Sequence, residues 1–164
     1  MFQTNKNNKM EDPGLQHSIK RLSDLSDGTV QQEFEAITTK GIRLLEARKG
    51  FLHCSFIVPN TVSDENGNWH VGAIATLIDI IGSLAIYSFF PRFSVSVDFC
   101  ISFYSTAKIQ EEVELEAKVV GKKERLTSVV VEVRKKENGE IIALGKQWMS
   151  ATNIISTYSK ASKL

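Results

Sequence analysis

The sequence predicts an α+β domain in which an antiparallel sheet wraps one long central helix, with a shorter helical segment ahead of it. Three observations carry that expectation. Residues 71–90 form a largely apolar stretch with a single charged side chain, Asp79. The chain on either side of them is built of short alternating runs bounded by turn residues. Two such runs precede the helix and four follow it, the order of an antiparallel meander rather than of βαβ units.

At 164 residues, 42% of them hydrophobic, the chain is long enough for one compact domain with its own core. A formal net charge of +1 supplies no basic field for nucleic acid. Cys54 and Cys100 each sit in an apolar run, which predicts buried thiols in a reducing compartment rather than a disulfide framework. His17 and His53 have no ligand-spaced partners, so no metal site is expected. There is no Gly-x-Ser-x-Gly elbow for a serine hydrolase.

Residues 1–11 are polar, lack an apolar signal core and read as disordered. A helical segment is expected over 12–40. Asp12-Pro13 has the form of an N-cap followed by proline at the first helical position. Leu15, Ile19, Leu22 and Leu25 then recur on one face, which suits packing or partner binding, until Ser26-Asp27-Gly28 interrupts. A second short helix is expected over Val30–Ile37. The main domain spans 41–152. Ile42–Ala47 and Phe51–Val58 read as strands joined at Arg48-Lys49-Gly50, and Val62–Asn68 as a polar loop. After the central helix, Phe93, Val95, Val97, Phe99, Ile101 and Phe103 alternate with Ser94, Ser96, Asp98, Cys100, Ser102 and Tyr104. Glu112–Val119 follows, then a turn over Gly121–Glu124, a β-branched run over Leu126–Val133, an Asn138-Gly139 hairpin and a last strand over Ile141–Met149. Residues 153–164 form a flexible tail ending Ser162-Lys163-Leu164. That tripeptide has the form of a peroxisomal import signal read by a receptor; unused, it would leave the protein cytoplasmic.

The 71–90 stretch is long enough to cross a bilayer. A central Asp79 would cost about 2.5–3.5 kcal/mol on insertion scales. The strands also need an apolar cover, and this helix is the adequate candidate, so no membrane span is expected.

Asp79 is a carboxylate in apolar surroundings, costly unless paired or used. The flanks suggest use, although a structural carboxylate satisfied by a hydroxyl remains an alternative. The start of the helix at Val71-Gly72 offers free backbone N–H groups and a positive dipole end to a developing oxyanion. Asp79 lies about 12–13 Å along the same helix, too far to act on a carbonyl held there.

The loop reads Asp64-Glu65-Asn66-Gly67-Asn68-Trp69-His70-Val71-Gly72, followed by Ala75-Thr76-Leu77-Ile78-Asp79. It resembles the Asn-x-x-Gly-x-x-His-Gly-Gly pattern and helix Asp of small hotdog thioesterases of the thioesterase superfamily member 2 type. Val95-Ser96-Val97-Asp98 and Tyr104-Ser105-Thr106-Ala107-Lys108 are similar to later segments of that family. The match covers about residues 42–150, and its wording looks most like the plant branch. The resemblance implies a hotdog fold and an acyl-CoA thioesterase active in fatty acid metabolism. CoA is then part of the substrate, and no cofactor is needed. It implies Asp79 as general base, Ser96 as the serine holding the water, and the Val71 N–H on the thioester carbonyl. His70 falls near the thiolate, a helix-capping role being its alternative. Asp64 stands where the family has asparagine and Val71 where it has glycine; Asn66 is a substitute for the first. These departures keep open a second reading, a catalytically weak hotdog protein that binds acyl-CoA or acts as a scaffold. The family's answer to the 12–13 Å gap is a homodimer in which one helix start faces the partner's Asp, with a homotetramer beyond it.

Gly72, Asn66 and Trp69 are further candidate substrate contacts, Trp69 with Phe89 and Phe90 as acyl-pocket aromatics or as ordinary core. Lys122, Lys123 and Arg125 form a basic turn that can meet CoA phosphates or remain a solvated hairpin. By strict alternation Ser96 falls opposite the phenylalanines and valines expected to cover the helix. It would then reach Asp79 through strand twist or from the partner subunit.

Overall fold

The computed structural model describes residues 12–29 and 33–152. The 1–11 segment, Val30 of the second expected helix, the 153–164 tail and the Ser162-Lys163-Leu164 signal lie outside the described residues. Helix α1 runs Pro13–Ser26, α2 Glu33–Thr39 and α3 Val71–Phe89. Strands β1 (Arg43–Arg48) and β2 (Phe51–Ile57) precede α3. Strands β3 (Ser94–Phe103), β4 (Glu112–Lys123), β5 (Leu126–Lys135) and β6 (Ile141–Ala151) follow it. They form one antiparallel sheet in the order β1-β2-β4-β5-β6-β3, with α3 against one face, the expected hotdog arrangement.

The helix is mostly apolar because the sheet and α1 cover most of its surface, leaving a half-buried stripe through Thr76, Asp79 and Ser83. Ile74, Leu77, Ile78, Ile81 and Ala85 join Leu52, Cys54, Phe56, Val113, Leu115, Ala117, Val129, Val131 and Val133 of the sheet in one core. From the other side, α1 contributes Leu22 and Leu25 to the same core. The buried Ser18 hydroxyl donates to the Leu84 carbonyl at 2.9 Å, and His17 stacks on Tyr87 at 4.5 Å. A helix long and apolar enough to span a membrane is here the core of the domain. Asp12 caps α1 as expected, accepting from the Gly14 and Leu15 N–H groups at 2.9 and 3.2 Å.

Three local expectations change. The β4–β5 turn is shorter than anticipated. Gly121 lies at a register shift inside β4, and Glu124, with φ of 54°, takes the left-handed position of the turn. Strand β3 carries a register shift between Ser96 and Asp98, so its alternation does not keep one phase. Cross-strand partners share a face, and the pairings Ser96↔Met149, Phe99↔Gln147, Ile101↔Gly145 and Phe103↔Ala143 set all four on the helix side. Asp98 and Cys100 face outward with Trp148 and Lys146. Cys100 is therefore exposed, against expectation, while Cys54 is fully buried and burial pushes its thiol up to about 12.

Candidate active site

The loop before α3 is built around Asp64. Its Oδ1 accepts from the Asn66 and Asn68 N–H groups at 2.9 and 2.8 Å, and its Oδ2 from the Asn68 side-chain amide at 3.2 Å. The Asn68 N–H beside it, more than any other group, holds the Asp64 carboxyl below the usual carboxylate range. Gly67, with φ of 72°, takes the left-handed turn that a side chain would strain. The segment after β3 straps this loop down: Trp69 N–H donates to the Ala107 carbonyl at 2.8 Å, and Lys108 Nζ to the Asn66 carbonyl at 3.3 Å. Asn66 engages through its backbone, and Asn68 is the asparagine that pairs with Asp64. Trp69 is 1% exposed and packs on Phe56 at 5.6 Å between ring centres, which makes it core in the single chain. Phe89 and Phe90 are half-buried at the far end of α3.

The loop delivers His70 as the N-cap of α3. The Gly72 N–H donates to His70 Nδ1 at 3.0 Å. An accepting Nδ1 carries no hydrogen, so the neutral ring has its proton on Nε2, directed away from the helix. The capping alternative for His70 is thus the one observed, and its Nε2–H has no partner among the described residues. With Gly72 engaged, the N–H of Val71 is the donor at the helix start without a partner among the described residues. Val71 itself is 57% exposed.

Two turns along, Asp79 is half-buried. Ser96 Oγ donates to Asp79 Oδ1 at 3.2 Å within one chain. The displaced register of β3 makes this contact possible, and neither twist nor a partner is required. A third group was not anticipated. Gln147 Nε2 donates to Asp79 Oδ1 and, at 2.7 Å, to Ser96 Oγ. Its sequence signal was a lone amide in the inward phase of β6, among Ala143, Gly145 and Met149. Asp79 Oδ2 has no hydrogen-bond partner among the described residues.

The chain therefore brings Asp79, Ser96 and Gln147 together, and groups Asp64, His70, Val71 and Gly72 separately at the helix start. The exposed Lys122, Lys123 and Arg125 join neither group. Lys122 Nζ sits 4.3 Å from the centre of the Phe90 ring, beside the C-terminal end of α3, and Arg125 Nη2 donates to the Ala151 carbonyl at 3.0 Å. No group of three or more His, Cys, Asp or Glu suited to a metal ion occurs among the described residues.

Comparison with known proteins agrees with this architecture. Residues 66–142 match the family model described as the thioesterase superfamily. Acyl-coenzyme A thioesterase 13 of Homo sapiens is 31% identical over 119 residues, 72% of this chain and 84% of that protein. Thioesterase superfamily member 2 of zebra fish superposes with a TM-score of 0.73 at 27% identity, covering 84% of this chain and 98% of that one. The Mus musculus member 2 structure gives 0.68 at 29% identity, over 79% and 96%.

Proposed function

The chain belongs to the thioesterase superfamily and is a thioester hydrolase, and from that premise we propose that it hydrolyses acyl-CoA with Asp79 as the base for the attacking water. The observation that carries the assignment is the state of the Asp79 carboxylate. It lies in an apolar helix with Oδ1 held by Ser96 and Gln147 and Oδ2 unpartnered among the described residues.

In this reading, Oδ2 removes a proton as the water oxygen bonds to the thioester carbon. The carbonyl electron pair moves onto oxygen, where the Val71 N–H donates to it beside the positive end of α3. The intermediate collapses, the C–S bond breaks and coenzyme A leaves as a thiolate near His70 Nε2–H. The proton held by Asp79 passes through solvent to the sulfur, giving the free acid and the CoA thiol. One helix cannot supply both ends of this reaction. Val71 and Asp79 are eight residues apart, about 12 Å of helix, so the carbonyl is held by the helix start of one protomer and attacked beside Asp79 of its partner. Strand β3 suits such a homodimer. It is a ten-residue sheet edge whose Val95, Val97, Phe99 and Phe103 are all exposed.

Thiol release from a panel of acyl-CoAs is the test. The wild type turns over at least one of them, and Asp79→Asn lowers kcat by roughly 10²- to 10⁴-fold. Release from none would remove acyl-CoA as substrate, and wild-type rates in Asp79→Asn would remove Asp79 as base. We also propose that Ser162-Lys163-Leu164 directs the protein to peroxisomes. Deleting Leu164 should disperse a punctate fluorescent fusion, and puncta that persist would retire the signal.

A further inference from the structure

Gln147 touches both groups that would hold the water, and we propose that it is a positioning residue for hydrolysis, fixing which proton and which lone pair Asp79 and Ser96 present. The inference rests on Asp79 as the base, as proposed above. Gln147 is 1% exposed on the inward face of β6. Its two amide hydrogens are both used, one on Asp79 Oδ1 and one on Ser96 Oγ. An oxygen that accepts from Gln147 turns its own hydrogen elsewhere, and that of Ser96 goes to Asp79 Oδ1. Ser96 is left with a lone pair and no proton to offer, and Asp79 with Oδ2. A water between them donates both of its hydrogens, one to Oδ2 and one to Ser96 Oγ. With both hydrogens held, its two lone pairs are turned away from Asp79 and Ser96, and one of them is free to attack.

The orientation of the amide is enforced from the helix. Gly82 lies one turn beyond Asp79, on the same face. A Cβ at Gly82 would stand 3.0 Å from Gln147 Oε1, with Val129 and Val131 at 3.2 and 3.3 Å. The bare glycine therefore makes room for Oε1. Reversing the amide would set Oε1 against the Asp79 carboxylate, acceptor to acceptor. In its place Oε1 is buried with no hydrogen-bond partner among the described residues. An orphaned carbonyl is costly in a core position that leucine or methionine would fill. Its retention is accounted for by the two hydrogens on the other side of the amide.

Gln147→Leu and the isosteric Gln147→Glu are compared with wild type by kcat, KM and the pH dependence of kcat, with Asp79→Asn in parallel. Gln147→Leu should lower kcat roughly 10- to 100-fold with KM little changed. The acidic limb of its profile should move upward, because a donor to the ionised carboxylate is lost. Gln147→Glu sets a second carboxylate there and should move that limb further. Gly82→Ala should act in the same direction from outside the site. Folded Gln147 variants with wild-type kcat overturn the proposal. So does a fall in kcat with an unmoved acidic limb, which would mark a purely structural role. If Gln147→Leu does not fold, Gln147→Glu and Gly82→Ala decide by the same readouts. Activity surviving in Asp79→Asn would overturn the choice of base instead, whereas an inactive Asp79→Asn beside wild-type-like Gln147 variants overturns only this inference.

Discussion

Asp64 illustrates how one residue can keep a structural task while changing its charge. Its main service is as an acceptor for two backbone N–H groups on Oδ1. An asparagine carbonyl can receive the same pair, giving up only the bond from the Asn68 side chain. Asp64→Asn should therefore leave kcat/KM within a few-fold of wild type. Asp64→Ala frees the loop that delivers His70 and Val71, and should cost on the order of 10- to 100-fold. The pH dependence follows from the direction of the shift. The folded-state pKa is depressed, chiefly by the Asn68 N–H, so the stabilisation is full above the unfolded carboxylate value of about 3.9. It is lost as pH falls through the lower folded value. Melting temperatures of wild type and Asp64→Ala, separated at pH 7, should converge in that acidic window. An equal gap at both ends, or none at pH 7, would reject the assignment.

At the scale of elements, the sequence was a good guide to where the helices and strands lie and a poor one to how β3 faces. The helix over 71–90, the capped α1 and the Asn138-Gly139 hairpin all have local causes, periodicity and turn chemistry, that a sequence displays. The register shift after Ser96 has none, because it is set by pairing with β6 some fifty residues away. Without it, Ser96 would share a face with Trp148 rather than with Gln147. Gln147 was missed for a related reason, since its partner Asp79 is 68 residues distant. A single amide in an apolar phase was the visible trace, and no spacing rule ties it to Asp79. The same strand bears the prediction for assembly. Val97, at the displaced register, is 55% exposed, so a charge there is tolerated by the folded monomer. On an edge that pairs with a second copy it is not. Val97→Lys should shift the protein to the monomer mass, keep the circular dichroism of the fold and lower activity more than tenfold. An active monomer, or an unaltered dimer, would refute the two-protomer site.

For the whole molecule, α1 and the domain that follows are one body, since Leu22 and Leu25 share a core with Leu52 and Leu77. The sheet order then has a consequence for synthesis. Helix α3 is made before the four strands that cover most of its sheet face, and about 60 residues separate its end from the end of β6. At ribosomal speeds of about 5–20 residues per second, that is roughly 3–12 s in which a span-length apolar helix has only α1, α2 and the first two strands for company. Asp79 has value in that interval before any substrate is met. A carboxylate at its midpoint opposes membrane insertion by about 2.5–3.5 kcal/mol, so the nascent chain carries its own protection against mistargeting in the residue proposed as the base.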